Sequence, residues 1–347
     1  MFSNIKIEEL LTRNDMVLID VRSPSEYKNF TIPGSRNIPI FDDKERAEIG
    51  TIYNKVSVEA AQERGLEIFS AKLPQFISEF KKIDSEKTVF CWRGGMRSKT
   101  SATVLDLMNI HVFRLEGGIR AYRKWVVNQL EKLEFHPRTY VLDGYTGTGK
   151  TSLLKRLKEE SYPVLDLEAM ANHRGSNFGH IGLEPHNQKT FDSLLIHQLL
   201  RMQNTSYILI EAESKRIGKV VLPPFFNKLK EQGIQIFIDM PIEERVANIL
   251  EDYRPWEHEQ ECMKAFQKIK SRIHTQVAKE IENNLQKEQF APAIRLLLEY
   301  YYDPFYKHSE ELYPEDRKIT VHAENEEEAL QKLKKLIHFE HQAPGCH

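Results

Sequence analysis

The feature that most constrains the fold is a pattern that occurs twice: a short apolar strand, a glycine-rich loop and then a helix. The first loop, Cys91-Trp-Arg-Gly-Gly-Met-Arg97, follows the apolar run Lys87-Thr-Val-Phe90. The second, Gly144-Tyr-Thr-Gly-Thr-Gly-Lys150-Thr151, follows Thr139-Tyr-Val-Leu-Asp143. Further strands and helices alternate around both loops, which predicts parallel sheets whose functional loops lie at the carboxyl ends of strands.

We predict two α/β domains, because 347 residues are enough for two complete cores. The boundary is placed in Glu134-Phe-His-Pro-Arg138, where Pro137 disfavours helix at the residue before it. Residues 1–133 are predicted to form a parallel sheet with helices on both faces. Residues 134–347 are predicted to form a P-loop α/β domain with a helical insertion or extension at about 257–301.

Composition argues against a polycationic, a membrane-spanning and a disulfide-rich protein. The net charge is -2, so any RNA partner must bind local basic patches rather than a polycationic surface. No run of about 18 apolar residues occurs and the start lacks a signal-peptide pattern, so we expect a cytoplasmic chain with no membrane partner. The three cysteines, Cys91, Cys262 and Cys346, suggest no disulfide framework and fit a reducing compartment.

Cys91 is the candidate nucleophile of the first loop. Consecutive backbone N–H groups, the flexible pair Gly94-Gly95 and the start of the following helix would all stabilise a thiolate. Arg93 and Arg97 add two positive charges beside it. The alternative is a buried structural cysteine, which the arginines and glycines of this loop disfavour.

The second loop has the spacing of a phosphate-binding P-loop in its required strand–loop–helix context. Lys150 is predicted to contact terminal phosphate oxygens, and Thr151 is a candidate ligand of Mg²⁺. Glu211, at the end of another apolar strand, is a candidate to support that metal or its water. The residues predicted to enclose the phosphate are Gly144, Thr146, Gly147, Thr148, Gly149, Lys150 and Thr151.

Three polar segments of the second domain are further candidates. His173, Arg174, Ser176 and Asn177 lie in a glycine-containing segment that suits an anionic or RNA ligand, unless it is a solvated connector. Lys215 and Arg216 follow a strand end and would neutralise a second phosphate, unless they are ordinary exposed cations. In a basic stretch, the spacing places Lys264, Lys268 and Arg272 on one face of a helix, which would bind a phosphate backbone unless it is a solvated helix face.

Residues 1–133 resemble the rhodanese family. The resemblance rests on four motifs: Leu18-Ile-Asp-Val-Arg22, Glu26-Tyr27, Ile32-Pro-Gly-Ser-Arg-Asn-Ile-Pro39 and Cys91-x-x-Gly-Gly-x-Arg97. It implies that Cys91 carries a transferable chalcogen, and that Asp20 and Arg22 help to order the active site. Phe30-Thr31 replace a histidine that is often found before the Ile-Pro-Gly turn.

Residues 5–310 resemble the bacterial tRNA 2-selenouridine synthase family. The motifs are those of the two loops, Ala171-Asn-His-Arg-Gly-Ser-Asn-Phe-Gly179, Glu211-x-Glu-Ser-Lys-Arg-Ile-Gly218 and Tyr301-Tyr-Asp-Pro-x-Tyr306. The resemblance implies a transferase that replaces sulfur by selenium in the wobble 2-thiouridine of tRNA. It implies selenophosphate and geranyl diphosphate as substrates, an S-geranyl intermediate, no tightly bound cofactor, and an enzyme that supplies selenophosphate as a partner.

Two other functions remain open from the residues alone. An ATP-dependent kinase or ligase coupled to a rhodanese sulfur carrier would also need both loops, since a P-loop indicates a bound phosphate and not its source. A non-catalytic sulfur relay that docks on another modifying enzyme would need only the cysteine. The P-loop itself could hold a diphosphate, selenophosphate or a nucleotide.

Overall fold

A computed structural model describes residues 2–13, 15–213, 215–304 and 314–342. Two residues singled out from the sequence, Tyr306 and Cys346, lie outside the described residues. Contacts between Cα atoms divide the chain into two compact units. Unit 1 is residues 1–133 with 192–196, and unit 2 is residues 134–191 with 197–347.

Unit 1 contains a five-stranded parallel sheet in the order β1-β5-β4-β2-β3. Phe80, Val89 and Leu105 are among the fully buried residues of its core. The strands are β1 Ser3–Ile5, β2 Val17–Asp20, β3 Arg36–Asn37, β4 Lys87–Phe90 and β5 Phe113–Leu115. The helices are α1 Ile7–Leu10, α2 Pro24–Asn29, α3 Asp43–Lys55, α4 Val58–Lys81, α5 Met96–Leu107 and α6 Gly118–Lys132.

Helix starts in unit 1 follow the chemistry of their first residues. Ser23 and Glu26 form a capping box at the start of α2, where Pro24 occupies the first turn. Asp42 and Glu45 form a second box at the start of α3, because each side chain accepts a hydrogen bond from the other's backbone N–H. These caps fix the helices that border the cysteine loop.

Unit 2 contains a second five-stranded parallel sheet, in the order β12-β11-β6-β8-β7. Its strands are β6 Arg138–Gly144, β7 Val164–Leu165, β8 Tyr207–Glu211, β11 Ile234–Asp239 and β12 Lys318–His322. A separate antiparallel hairpin is formed by β9 Arg216–Ile217 and β10 Val220–Val221. The helices around this sheet are α7 Lys150–Glu159, α8 Leu167–Ala171, α9 Gln188–Arg201, α10 Phe225–Gln232, α11 Ile242–Tyr253 and α15 Glu326–Gln342.

The helical part of unit 2 is built from α12 Glu259–Ile269, α13 Thr275–Gln286 and α14 Phe290–Leu297, followed by a π-helical turn at Leu298–Tyr302. The prediction of one basic helix face is wrong. α12 ends at Ile269, and Arg272 lies in a 3₁₀ turn after it, so Arg272 does not continue the face of Lys264 and Lys268. Helix length cannot be read from spacing alone, because spacing does not show where a helix ends.

The sequence prediction of the fold is confirmed: each unit has a parallel sheet with helices, and unit 2 carries the helical extension. Strand β4 has the bounds of the apolar run that precedes the cysteine loop. Within the described residues, no helix combines the length and the low charge needed to span a bilayer.

Candidate functional site

Cys91 lies directly after β4, at the base of the loop that leads into α5. Its side chain is buried, and its Sγ lies 3.2 Å from Oγ of Ser98 in the first turns of α5. Carboxyl ends of parallel strands are where such sheets place reactive groups. The structure therefore puts the sulfur where the strand–loop–helix pattern predicted it.

The cysteine loop is held by the first turn of α6. Backbone N–H groups of Ile119 and Arg120 donate to the carbonyls of Cys91 and Trp92 at 2.9 and 3.2 Å. Gly118 has a φ of +57°, and a Cβ there would lie 2.2 Å from the Cys91 carbonyl oxygen. Only glycine allows this close approach, so Gly118 determines the shape of the loop.

The two predicted arginines of the cysteine loop have different surroundings. Arg97 is largely buried, and its Nη1 and Nη2 donate to the carboxylate of Glu26 at 2.5 and 3.2 Å. Burial raises the pKa of Glu26, but the hydrogen bond and charge of Arg97 outweigh it, and the net pKa is below the usual value. Arg93 is exposed at the mouth of the loop. Arg93 is thus the more accessible cation for an anionic ligand.

Asp20 and Arg22 form a buried ion pair after β2. Nη2 of Arg22 lies 2.6 Å from Oδ2 of Asp20 and also donates to the Phe30 carbonyl at 2.5 Å. Thr31 donates from Oγ1 to the same Asp20 oxygen at 2.9 Å. The buried carboxylate is therefore held by both Arg22 and Thr31.

The P-loop follows β6, and its glycines adopt conformations that other residues rarely adopt. Gly144, Gly147 and Gly149 have φ values of +145°, +87° and +70°. A Cβ at Gly144 would lie 2.5 Å from the Ile238 carbonyl oxygen of β11. The loop therefore packs closely against the neighbouring strand. Its backbone N–H groups at the start of α7 are available to bind an anion.

Lys150 folds back over the P-loop. Its Nζ donates to the carbonyl oxygens of Gly144 and Tyr145 at 2.7 and 3.0 Å. Thr148 is fully buried and donates from Oγ1 to the Tyr145 carbonyl at 2.9 Å. Thr148 therefore stabilises the conformation of the loop. When a phosphate binds, Nζ of Lys150 can give up its hydrogen bonds to the two carbonyls and donate to phosphate oxygens instead.

A buried arginine that sequence reasoning missed supports the P-loop from α11. Arg245 donates from Nε to the Thr146 carbonyl at 2.9 Å, and its guanidinium lies 4.9 Å from the centre of the Tyr145 ring. Its Nη atoms pair with both carboxylate oxygens of Asp303, at 3.0 and 2.5 Å. Asp303 belongs to the Tyr301-Tyr-Asp-Pro motif, which thus acts on the loop through Arg245.

Three buried carboxylates lie beside the P-loop. Thr151 donates from Oγ1 to Oε2 of Glu168 at 2.8 Å. Burial and the neighbouring Glu213 raise the pKa of Glu168 to about 8. Burial also raises the pKa of Glu213. The raised pKa values favour the neutral forms of both carboxyls, and the sequence offered no local signal for the pair because Glu168 lies in α8 whereas Glu213 follows β8.

Glu211 lies at the end of β8, as predicted, and is 2% exposed. Its Oε2 accepts hydrogen bonds from the N–H groups of Leu167 and Glu168 at 2.9 and 3.2 Å, and its Oε1 has no hydrogen-bond partner among the described residues. Burial, followed by the charges of Glu168, Asp166 and Glu213, raises the pKa of Glu211 well above its usual value. Its unsatisfied oxygen is a position for a cation, a water or a proton.

Side chains of the segment 173–177 bind other parts of unit 2. Arg174 donates to the carbonyls of Ile181 and Asp252, both at 2.9 Å. Ser176 lies 3.3 Å from the hydroxyl of Tyr253, and Asn177 donates to the hydroxyl of Tyr301 at 3.2 Å. These contacts join the segment to α11 and the π-helical turn, which is a structural task that the sequence did not reveal.

His173 is buried between two glycines. A Cβ at Gly179 or Gly218 would lie within 2.8 Å of its ring. Burial, with the nearby His180 and Arg174, lowers the pKa of His173, and its Nδ1 has no partner among the described residues. Lys215 and Arg216 are exposed where the β9–β10 hairpin begins.

The described residues contain no cluster of three or more His, Cys, Asp or Glu side chains with metal-binding geometry. A P-loop magnesium ion needs fewer protein ligands, because phosphate oxygens and water complete its octahedron. Thr151 fits that requirement, because its Oγ1 could bind the ion while Glu168 accepts its hydrogen bond. Glu211, whose charge interacts with that of Glu168, adds an Oε1 atom that has no hydrogen-bond partner among the described residues.

Comparisons with known proteins agree with this geometry. A family model described as the tRNA 2-selenouridine synthase AAA domain matches residues 137–338, and the rhodanese-like domain model matches residues 3–124. A tRNA 2-selenouridine synthase of Nitrosomonas europaea is 36% identical over 248 residues, which are 69% of this chain and 64% of that protein. One of Shewanella frigidimarina is 32% identical over 328 residues, covering 83% of this chain and 87% of that protein. The chain therefore belongs to the tRNA 2-selenouridine synthase family.

Proposed function

We propose that this chain is a transferase that replaces sulfur by selenium at C2 of the wobble 2-thiouridine of tRNA. Selenophosphate is the selenium donor, and an S-geranyl-2-thiouridine made from geranyl diphosphate is the intermediate. The observation that carries the proposal is the presence in one chain of a cysteine loop and a P-loop, each at the carboxyl end of a parallel strand. The names of its relatives, tRNA 2-selenouridine synthase, support the substrate and the product.

The intermediate has a chemical reason. The C2 thione of 2-thiouridine is a poor leaving group, whereas an alkylated sulfur leaves as a thiolate. In the first step the nucleoside sulfur forms a bond to C1 of geranyl diphosphate, diphosphate leaves with the electron pair, and N3 of the nucleoside loses its proton to solvent, which it regains when 2-selenouridine is formed. In the second, selenium of selenophosphate forms a bond to C2 and geranylthiolate leaves and is protonated. Water then cleaves the Se–P bond, which releases phosphate.

The P-loop is assigned to the diphosphate of the first step. Its N–H groups and Lys150 would bind the leaving diphosphate, and Mg²⁺ held at Thr151 would neutralise the charge that develops. The raised pKa values of Glu168 and Glu213 favour their neutral forms, which would reduce repulsion between these carboxyls and the diphosphate. Lys215 and Arg216 are exposed cations that would contact a further phosphate.

The cysteine loop is assigned to the second step. Cys91 would position selenophosphate for attack on C2, together with Arg93 and Arg97. The N–H groups of Gly94 and Gly95 and the start of α5 add positive potential there. The target base must leave the anticodon stack, since proteins read RNA bases that are splayed out.

Mass spectrometry of thiolated tRNA after incubation with each reagent tests the sequence of steps. Geranyl diphosphate alone should give S-geranyl tRNA, selenophosphate alone should leave the tRNA unchanged, and both together should give 2-selenouridine. Nucleotide hydrolysis that depends on tRNA, without geranylation, would favour an ATP-dependent kinase or ligase. Conversion by the purified chain alone would exclude a non-catalytic sulfur relay.

The Cys91→Ser variant separates the two steps. We expect it to lose selenation of S-geranyl tRNA and to keep geranylation. Cys262→Ser is the matched control, because Cys262 is also a buried free cysteine but lies in α12 of unit 2. Full selenation by Cys91→Ser would remove the cysteine from the mechanism.

A further inference from the structure

A wide groove borders the cysteine loop within unit 1. It lies between the helix pair α3–α4 and the start of α5, and its volume is about 790 Å³. Small-molecule sites in proteins commonly have about 300–1,000 Å³. The cavity beside the P-loop that Phe178 and Ile294 line has only about 60 Å³. A cavity of about 150 Å³ holds benzene, so a ten-carbon chain fits the groove and not the smaller cavity as it stands.

The walls of the groove expose large apolar side chains. Tyr53 of α3, Val58 and Leu66 of α4, and Trp92 and Met96 of the cysteine loop are between 40% and 66% exposed. Together they supply five of the eleven large apolar residues that the described chain exposes to this degree. Apolar surface gathered at one place on a folded chain indicates binding of an apolar partner.

The charge of the groove is gathered at one end. Arg93 and Arg97 lie at the cysteine loop, and Arg46 of α3 reaches the same carboxylate as Arg97, with its Nε 3.7 Å from Oε2 of Glu26. Three positive charges thus lie at the cysteine-loop end of the groove, and two of them, Arg46 and Arg97, share the carboxylate of Glu26. A ligand that complements this arrangement has an anionic part at the cysteine loop and an apolar part along α3 and α4.

We propose that this groove binds the prenyl chain of S-geranylated uridine while selenium displaces sulfur at C2. The inference rests on the proposed function. The nucleotide phosphates would lie at the arginines, the chain would extend along Val58 and Leu66, and the C2–S bond would lie beside Cys91. RNA alone would explain Tyr53 and Trp92, which can stack on bases, but not the exposed aliphatic residues.

The groove also explains how the two reaction steps are kept in order. A thiolated tRNA without the chain lacks the apolar part that the groove binds, so its uridine is held weakly at Cys91. A geranylated tRNA is held by both ends of the groove. Selenium is therefore delivered only after the leaving group has been installed.

The test compares binding of two tRNAs to full-length variants. One tRNA carries 2-thiouridine and the other carries chemically prepared S-geranyl-2-thiouridine, so the chain's own geranylation is not needed. We expect Leu66→Asp and Val58→Asp to weaken binding of the geranylated tRNA by about tenfold, as for the loss of one buried branched side-chain contact. Binding of the thiolated tRNA should stay unchanged.

Leu107→Asp is the matched control, since Leu107 is 76% exposed on α5 of the same unit but does not line the groove. It should bind both tRNAs as the unsubstituted chain does. Equal losses for both tRNAs would identify the groove as a general RNA surface, and a changed oligomeric state with unchanged tRNA discrimination would identify it as an interface between copies. Either result overturns the inference.

Selenation of the geranylated tRNA with selenophosphate distinguishes failure of this inference from failure of the proposed function. If the unsubstituted chain selenates this tRNA and the groove variants do so at the same rate, the groove inference alone is wrong. If the unsubstituted chain does not selenate it, the proposed function is wrong.

Discussion

The cysteine loop and the P-loop are both glycine-rich turns between a parallel strand and a helix, but different forces hold them. The cysteine loop is held mainly by backbone hydrogen bonds from the first turn of α6, which begins at Gly118, with one side-chain bond from Arg114 to the Gly94 carbonyl at 2.6 Å. The P-loop approaches backbone closely at Gly144, and the long side chains of Arg245 and Asn248 bind its carbonyls from α11. An added methyl group at Gly118 is therefore the sharpest test of the first loop, and removal of a supporting side chain is the sharpest test of the second.

The largest effect is expected from removing the side chain that supports the P-loop. Arg245→Ala should lower the free energy of unfolding by about 3–5 kcal/mol, because it leaves the largely buried carboxylate of Asp303 without its ion-pair partner. Urea denaturation measures this loss. Arg295→Ala is the control, since its pair with Glu243 is exposed and should contribute less than about 1 kcal/mol. Equal losses would show that the Arg245 pair gives no particular support.

The matching change in the cysteine loop adds a methyl group. Gly118→Ala should cost about 3 kcal/mol or more, because it combines a positive φ with a Cβ 2.6 Å from the Gly94 nitrogen. Selenation of S-geranyl tRNA should fall with it. Gly95→Ala adds the same methyl group where φ is -87° and no atom lies within 4 Å. A Gly95→Ala effect as large as that of Gly118→Ala would contradict this account.

A smaller effect, on binding alone, is expected at Lys150. Lys150→Ala should weaken geranyl diphosphate binding about 10- to 100-fold, as for loss of hydrogen bonds from a charged donor. Isothermal titration calorimetry measures it. Lys155→Ala on the exposed side of the same helix should leave the affinity unchanged. Unchanged affinity in Lys150→Ala would remove the lysine from the phosphate site.

The last effect is a dependence of stability on pH, which belongs to the P-loop side and develops gradually over several pH units. With the pKa of Glu168 raised from 4.5 to about 8, the folded chain keeps a proton that the unfolded chain releases. The stabilising contribution is complete below about pH 4.5 and is lost as the pH rises to about 8. The free energy of unfolding should fall by up to about 1.4 kcal/mol per pH unit in that window.

Glu168→Gln should flatten this pH dependence, because an amide does not titrate. Glu280→Gln, an exposed change on α13, should leave it as it is. Denaturation series at several pH values compare the three chains. If the unfolding free energy of the unsubstituted chain and of both variants depended equally on pH, the titrating group would be one other than Glu168.

Local patterns predicted the fold and both loops. Strand ends, the glycine spacing and the positions of Cys91 and Lys150 depend on neighbouring residues, which a sequence displays directly. Arg245 and Asp303, or Glu168 and Glu213, meet only because the fold brings distant segments together. Such contacts have no local signal.

The helices of residues 43–82 illustrate the same difference. The structure places them at α3 and α4. Only the packing of α3 against α4 and the cysteine loop shows that Tyr53 and Leu66 line a groove.

The pair formed by Arg245 and Asp303 determines which truncated fragments of this protein can bind an anion at the P-loop. A fragment cut after the sheet strand β11 would contain the complete phosphate-loop motif and none of the residues that brace it. Loss of anion binding by such a fragment would reflect a missing brace and not an absent motif. The smallest fragment suited to measuring anion binding by the P-loop must extend through residue 303. It must also include β12, which pairs with β11, and the helix α15 that follows it.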